Sequence, residues 1–279
     1  MMLNVLNMQL FRLKRSKMFW AMFIVCALLP LLSAILISFV INFLNDSFGG
    51  ENVTIVLETY NISGGARTLT ELGNLTSLIS DPALFSLISA SIFLSGEFSG
   101  GSIRNMVLAN KSRTQIFLSF LCVALIIGFS YLGVSYVSTL ICFGIATGFD
   151  GVTAAEIANG CVTSLLLGLL AIALVQAIVC FFLFITRKTS STIIFPLLVV
   201  FLLPSIIESI VEVVFLVNLA EGHELSSAML GWVPLYNASL FNGANIDGAL
   251  VGKIVMYNAP LAALFSFFGW FALDKCDLK

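Results

Sequence analysis

SGEFSGGSIRNMVLANKSRTQIFLSF, residues 95–120, interrupts two runs of nearly pure hydrocarbon. It carries one acid, Glu97, three cations, Arg104, Lys111 and Arg113, and the glycines Gly96, Gly100 and Gly101. The runs beside it, Pro82–Ser95 and Ile116–Thr147, hold no charged residue. Crossing about 30 Å of hydrocarbon as a helix takes roughly 20 apolar residues, so a polar break between two such runs marks a loop at a membrane surface. Four further runs of this kind occur, at Met18–Leu44, Ala158–Thr186, Ile193–Leu219 and Ile254–Leu273. Pro82–Ser95 is short for a span and needs residues recruited from Leu78–Asp81 or Gly96–Phe98. The runs are continuous rather than alternating. Inside lipid every backbone polar group must be satisfied within the chain, which points to helices and away from barrel strands. The expected fold is an all-α integral membrane protein with six transmembrane helices.

Composition agrees. Of 279 residues 59% are hydrophobic and 10% charged, with 25 Phe, against about 25% charged in soluble domains. The net charge of -2, with no basic or acidic tail, leaves no reason to expect a nucleic-acid partner.

Orientation follows from Lys and Arg, which are retained in cytoplasmic loops. With both termini cytoplasmic, eleven of the 13 basic residues fall inside: Arg12, Lys14, Arg15, Lys17, Arg104, Lys111, Arg113, Arg187, Lys188, Lys275 and Lys279. Only Arg67 and Lys253 fall outside, and the outer loops are acidic. The first span is too long for the core of a cleaved signal, and no small-residue cleavage site follows it. Residues 1–17 place Val5, Met8 and Phe11 or Arg12 at helical spacing. They are expected either to lie along the inner interface with the basic end at the headgroups, or to form a short tail. The first outer loop, residues 45–80, has enough Val, Ile and Thr for short strands and a Gly-Gly turn, and is expected to form a small ordered cap. The last outer loop, residues 220–252, carries Trp232, Pro234 and Tyr236, as interfacial or re-entrant segments do.

No catalytic residue is expected. The six cysteines have no Cys-x-x-Cys spacing and read as small packing residues. His223 has no second histidine at zinc-protease spacing, so no metal is expected, and no phosphate-binding Gly-x-x-x-x-Gly-Lys-Ser/Thr loop is present. Polar residues inside spans are the default candidates for function. Glu208 and Glu212 stand one turn apart after Pro204. They either meet a cationic group or reach the aqueous interface. Gln176 either lines a path or bonds a neighbouring helix. Ser86, Ser89, Ser91 and Ser95 give the second span a small-residue face, suited to a helix contact or a pore wall.

In the loop itself, Gly100 and Gly101 permit a sharp turn and Ser102 can cap a short helix over SIRNMVLAN. That helix would show Ile103, Met106 and Val107 on one side. Apolar knobs facing cytosol need a membrane surface or a protein groove to cover them. The segment GEFSGGSIRNMVLANKSRTQIFLS resembles the stretch after the second span of ABC transporter permeases of the type-2 exporter family. The terminal helix, the six spans and the large first outer loop resemble that family as well; members often carry Lys where this chain has Phe120.

The resemblance implies a half-transporter that pairs with a second permease copy and recruits two separate ATP-binding subunits, with ATP and Mg bound on those subunits and no cofactor on this chain. It makes residues 97–114 the coupling-helix region. Gly101, Ser102, Ile103, Arg104, Asn105, Met106 and Val107 would sit in a groove of the ATPase, and Glu97 would pair with Arg104 or with a basic residue of the partner. Arg113, and Arg187 and Lys188 in the second cytoplasmic loop, would add contacts. Ser86, Ser89, Gln176, Glu208 and Glu212 would be candidates for the translocation path. The loop text is similar to that of bacterial permeases that export amphipathic peptides such as phenol-soluble-modulin-like toxins, or that confer bacteriocin immunity, which implies peptide export across a bacterial cytoplasmic membrane. Efflux of drug, lipid or ion is the near alternative. A membrane sensor or scaffold that docks a cytosolic partner is the alternative from a different class.

Overall fold

The computed structural model describes residues 2–48, 64–78, 80–100, 112–149, 151–202, 206, 209 and 246–275. Among these residues the chain is entirely helical. The helices are α1 (Met2–Arg15), α2 (Lys17–Phe48), α3 (Gly64–Asn74), α4 (Asp81–Ser99), α5 (Arg113–Thr147), α6 (Ala154–Thr186), α7 (Thr189–Leu197), which runs on as a π turn over Leu198–Leu202, and α8 (Gly248–Asp274). Four helices, α2, α5, α6 and α8, are long and apolar enough to cross a membrane. They contain the expected first, third, fourth and sixth spans. The expected second span lies in α4, which has 19 residues. The described part of the expected fifth is the shorter apolar helix over Thr189–Leu202.

Three of the long helices begin where a polar side chain takes a first free amide, before their apolar runs. Ser112 accepts from the N–H of Gln115, which starts α5 at Arg113 rather than Ile116. Thr153 and Glu156 form a reciprocal capping box that starts α6 at Ala154. Asp247 accepts from the N–H of Ala249 at 2.9 Å and starts α8 at Gly248.

α5 and α6 form the centre, with 56% and 61% of their apolar windows buried, against 17% for α2 and α8, which show most of their surface to the surroundings. α8 packs along α6, α2 along α5, and α4 lies against α5, α6 and α7. Close approach of the central pair depends on Gly128: a Cβ there would meet Ile172 Cγ2 at 2.3 Å. In the described part of the expected cap, Gly64 and Gly65 open α3 rather than form a turn. Gly65 fits there since a Cβ would strike the backbone of Phe149 and the side chain of Val152. Leu69 and Leu72 are then buried against Tyr136, with Leu140, Cys161 and Leu165 packed around them. Residues 51–63, on which the expected short strands fall, lie outside the described residues.

In α1 the buried stripe is Val5, Gln9 and Leu13, whereas Met8 and Phe11 are exposed. The face that packs on α5 is therefore rotated from the Val5–Met8–Phe11 stripe. A 3.6-residue period admits steps of either three or four, and the stripe that packs on α5 takes steps of four, with Arg12 beside it reaching Glu97 on α4.

Two prolines inside helices shape the bundle. Proline has no N–H, so Pro30 cannot bond the carbonyl of Cys26 and Pro196 cannot bond that of Thr192. A freed carbonyl in lipid needs another donor. Ser135 Oγ on α5 donates to Cys26 O at 3.1 Å, and Ser91 Oγ on α4 donates to Thr192 O at 3.0 Å. Each proline thus becomes a point at which a neighbouring helix is pinned.

Candidate functional site at one end of the bundle

Phe98 on α4, Phe117 and Phe120 on α5 and Phe184 on α6 form one aromatic cluster, with ring centroids between 5.5 and 6.1 Å apart. This cluster fixes which helix ends lie together. Glu97 precedes Phe98, Arg113 lies one turn before Phe117, and Arg187 and Lys188 follow Phe184 within about a turn. The sequence-predicted Glu97, Arg113, Arg187 and Lys188 are therefore brought to the same end of the bundle. Gly269 of α8 packs on Phe117 and Phe181, which brings Asp274 and Lys275 to that end too. The opposite end holds α3, the Thr153–Glu156 cap and Asp247.

Glu97 is almost wholly buried, with 2% of its side chain exposed, and Arg12 of α1 holds it: Nη1 lies 2.7 Å from both carboxylate oxygens. Arg12 is half exposed, so its other guanidinium hydrogens face outward. Among the described residues Glu97 pairs with Arg12, which sequence reading counted only as a topology marker; the expected partner Arg104 lies outside the described residues. No local signal could have found Arg12, since 85 residues separate the pair. Gly101, Ser102, Ile103, Asn105, Met106 and Val107 also lie outside the described residues.

At the start of α5, the Arg113 guanidinium donates to the backbone carbonyl of Asp274, in the last turn of α8. Beside it, Trp270 Nε1 donates to Thr114 Oγ1 at 3.2 Å. A cation on a helix's last carbonyls is favoured both by the unsatisfied C=O groups and by the helix dipole. Arg187 ends α6 in the left-handed region (φ 53°), its N–H bonded to Leu183 O. That backbone state costs a non-glycine residue about 1 kcal/mol and turns the chain into α7. Lys188 is the N-cap of α7, and its carbonyl accepts from Thr192 Oγ1 at 2.9 Å.

The path candidates lie deeper. Ser86, Ser89 and Gln176 are fully buried within the chain. Gln176 Nε2 donates to Ser86 Oγ at 2.9 Å, tying α6 to α4, while its Oε1 has no partner among the described residues. Ser89 shares a hydrogen bond with the Tyr131 hydroxyl (2.9 Å), which also donates to Phe19 O at 3.0 Å. The structure joins these residues into contacts among α2, α4, α5 and α6. Glu208 and Glu212 lie outside the described residues. Among the described residues no group of three His, Cys, Asp or Glu stands close enough to hold a metal.

A buried ion pair, a capped helix end and an aromatic cluster hold five helices, α1, α4, α5, α6 and α8, together at the end where the cations gather. No curated protein and no solved structure matches the chain. The family model described as ABC-2 family transporter protein matches residues 5–206, more than two thirds of the sequence, from the helix carrying Arg12 through the π turn. The chain thus belongs to the ABC-2 family of transporter proteins, as a multi-pass membrane subunit.

Proposed function

We propose that this subunit is the permease of an ATP-driven exporter that moves hydrophobic or amphipathic cargo, peptides in the first place, out of a bacterial cell. The observation that carries the reading is the family match over residues 5–206, which takes in the glycine-rich basic stretch at 95–120. Two permease copies, each with six spans and both termini in the cytoplasm, assemble with two ATP-binding subunits that hold ATP and Mg. The distribution of Lys and Arg supports that orientation, since the end carrying Glu97, Arg113, Arg187 and Lys188 also gathers Arg12 and Lys275. Residues 101–110 seat in a groove of the ATPase through Ile103, Met106 and Val107. Closure of the ATPase pair on ATP then shifts the permease between two packed states.

The cargo class rests on composition. A narrow apolar interior with few charges offers little to a hydrophilic solute, whereas an amphipathic helix can enter from the bilayer. Ser86, Ser89, Gln176, Glu208 and Glu212 remain the path candidates. Proteoliposomes holding the permease with its ATPase subunit test the cargo. ATP-dependent movement of a fluorescent amphipathic helical peptide, lost when Ile103 and Met106 are changed to Asp, is the expected result. Movement of a small cationic dye or a labelled phospholipid in place of the peptide would overturn the peptide assignment.

A further inference from the structure

The two polar contacts at the cation-rich end share a property. One holds the last turn of α4, through Glu97 and Arg12 on α1. The other holds the first turn of α5, through Arg113 and Thr114, against Asp274 and Trp270 on α8. α4 and α5 are the two helices that flank residues 101–111, and α1 and α8 are the first and last described helices. A force arriving between α4 and α5 therefore meets two fixed points, and neither belongs to the α4–α5 hairpin itself.

We infer that Arg12 and Arg113 are positioning residues that pass displacement of the α4–α5 hairpin outward, Arg12 to α1 and α2, Arg113 to α8. Each link suits that role physically. The Glu97 carboxylate is buried, so separating it from Arg12 is costly and the pair resists being pulled apart. Arg113 donates to the Asp274 carbonyl in the last turn of α8, so releasing it costs that carbonyl a charged donor. α2 and α8 are also the two long helices least buried within this chain, so movement reaching them is opposed by surrounding lipid or a partner rather than by this chain's core. Deeper in the bundle α5 is also tied to α2, through Ser135 and Tyr131, so the clamps are the links at the end where the force arrives.

The inference rests on the exporter reading for its source of force. Its test uses tryptophans already at both clamps. Trp20 Nε1 bonds Lys14 O at 2.9 Å across the α1–α2 junction, and Trp270 is part of the second clamp. Permease labelled with 5-fluorotryptophan is reconstituted with its unlabelled ATPase subunit, and fluorine NMR is recorded without nucleotide and after trapping with ATP and vanadate. Trp→Phe variants assign the signals. Both Trp20 and Trp270 resonances are expected to shift on trapping. Glu97→Gln and Arg12→Gln should abolish the Trp20 shift and keep that of Trp270; Arg113→Gln should do the reverse, and Arg113→Lys should restore it. A merely stabilising role would weaken both shifts together. A complex that hydrolyses ATP while both resonances stay fixed, or a Trp20 shift that persists in Glu97→Gln, overturns the inference and leaves the exporter reading standing. A chain to which no ATPase binds overturns both.

Discussion

Replacing Ser135 with Ala deletes one hydroxyl, and its cost should depend on a proline in another helix, Pro30 of α2. Ser135 Oγ donates to the carbonyl of Cys26, whose helical donor would have been the N–H that Pro30 lacks. Ser135→Ala should therefore orphan a buried carbonyl. Such a group costs about 1–3 kcal/mol, while hydrogen bonds between membrane helices average about 0.6 and reach about 1.7 kcal/mol. A loss of about 1–2 kcal/mol is expected. Pro30→Ala supplies the missing N–H, so Ser135→Ala in that background should cost at most about 0.5 kcal/mol, a coupling near 1 kcal/mol. Ser138 is the internal control. It donates to Ala27 O at 2.6 Å, but the helical donor for that carbonyl is Leu31, which has an N–H. Its replacement should be cheaper and indifferent to residue 30. The six proteins, with Ser135 and Ser138 each replaced in both backgrounds, are compared by unfolding in mixed micelles on titration with sodium dodecyl sulfate, followed by far-ultraviolet circular dichroism. An equal cost for Ser135→Ala with and without Pro30 would refute the reasoning.

The Arg12–Glu97 pair should respond asymmetrically in the same assay: Arg12→Ala strips a buried carboxylate of its cation and should cost about 2–3 kcal/mol, whereas Glu97→Gln leaves a half-exposed guanidinium that can turn to water and should cost about 1 kcal/mol. Equal costs would contradict the burial difference. Gly128→Ala should destabilise by about 1–3 kcal/mol through overpacking against Ile172, and Ile172→Ala in the same protein should recover part of the loss. Arg187→Gly relieves a left-handed backbone and should stabilise by about 1 kcal/mol, so a fall in ATPase binding in that variant would report the lost side chain and not a weakened fold.

Much of the architecture is legible in the residues because lipid makes one demand, apolar length, that each run answers separately. Four long helices fall where continuous hydrocarbon predicts them, and their starts shift only by the reach of Ser112, Thr153 and Asp247. Composition misleads where one signal overlaps another. The Gly-Gly pair at 64–65 looks like a turn, yet Leu69 and Leu72 at helical spacing find a buried surface on α5 and α6, and burial outweighs the cost of two glycines in a first turn. In α1, both candidate stripes satisfy helical periodicity, and only packing on the distant α5 distinguishes them. Pro30 and Pro196 announce a freed carbonyl in the sequence, but nothing local names Ser135 or Ser91 as its donor. Of the candidate site, Glu97, Arg113, Arg187 and Lys188 are legible as one cation-rich end through the asymmetry of Lys and Arg. Their partners, Arg12, Asp274 and Trp270, depend on tertiary packing across 85 residues or more.

The most direct test of the account is affinity purification of this chain from its native host in mild detergent, with identification of bound proteins and assay of ATP hydrolysis. The account predicts an equimolar ATP-binding subunit whose turnover falls when Ile103 and Met106 become Asp. A chain that purifies alone, or with a partner that lacks ATPase activity, would contradict it.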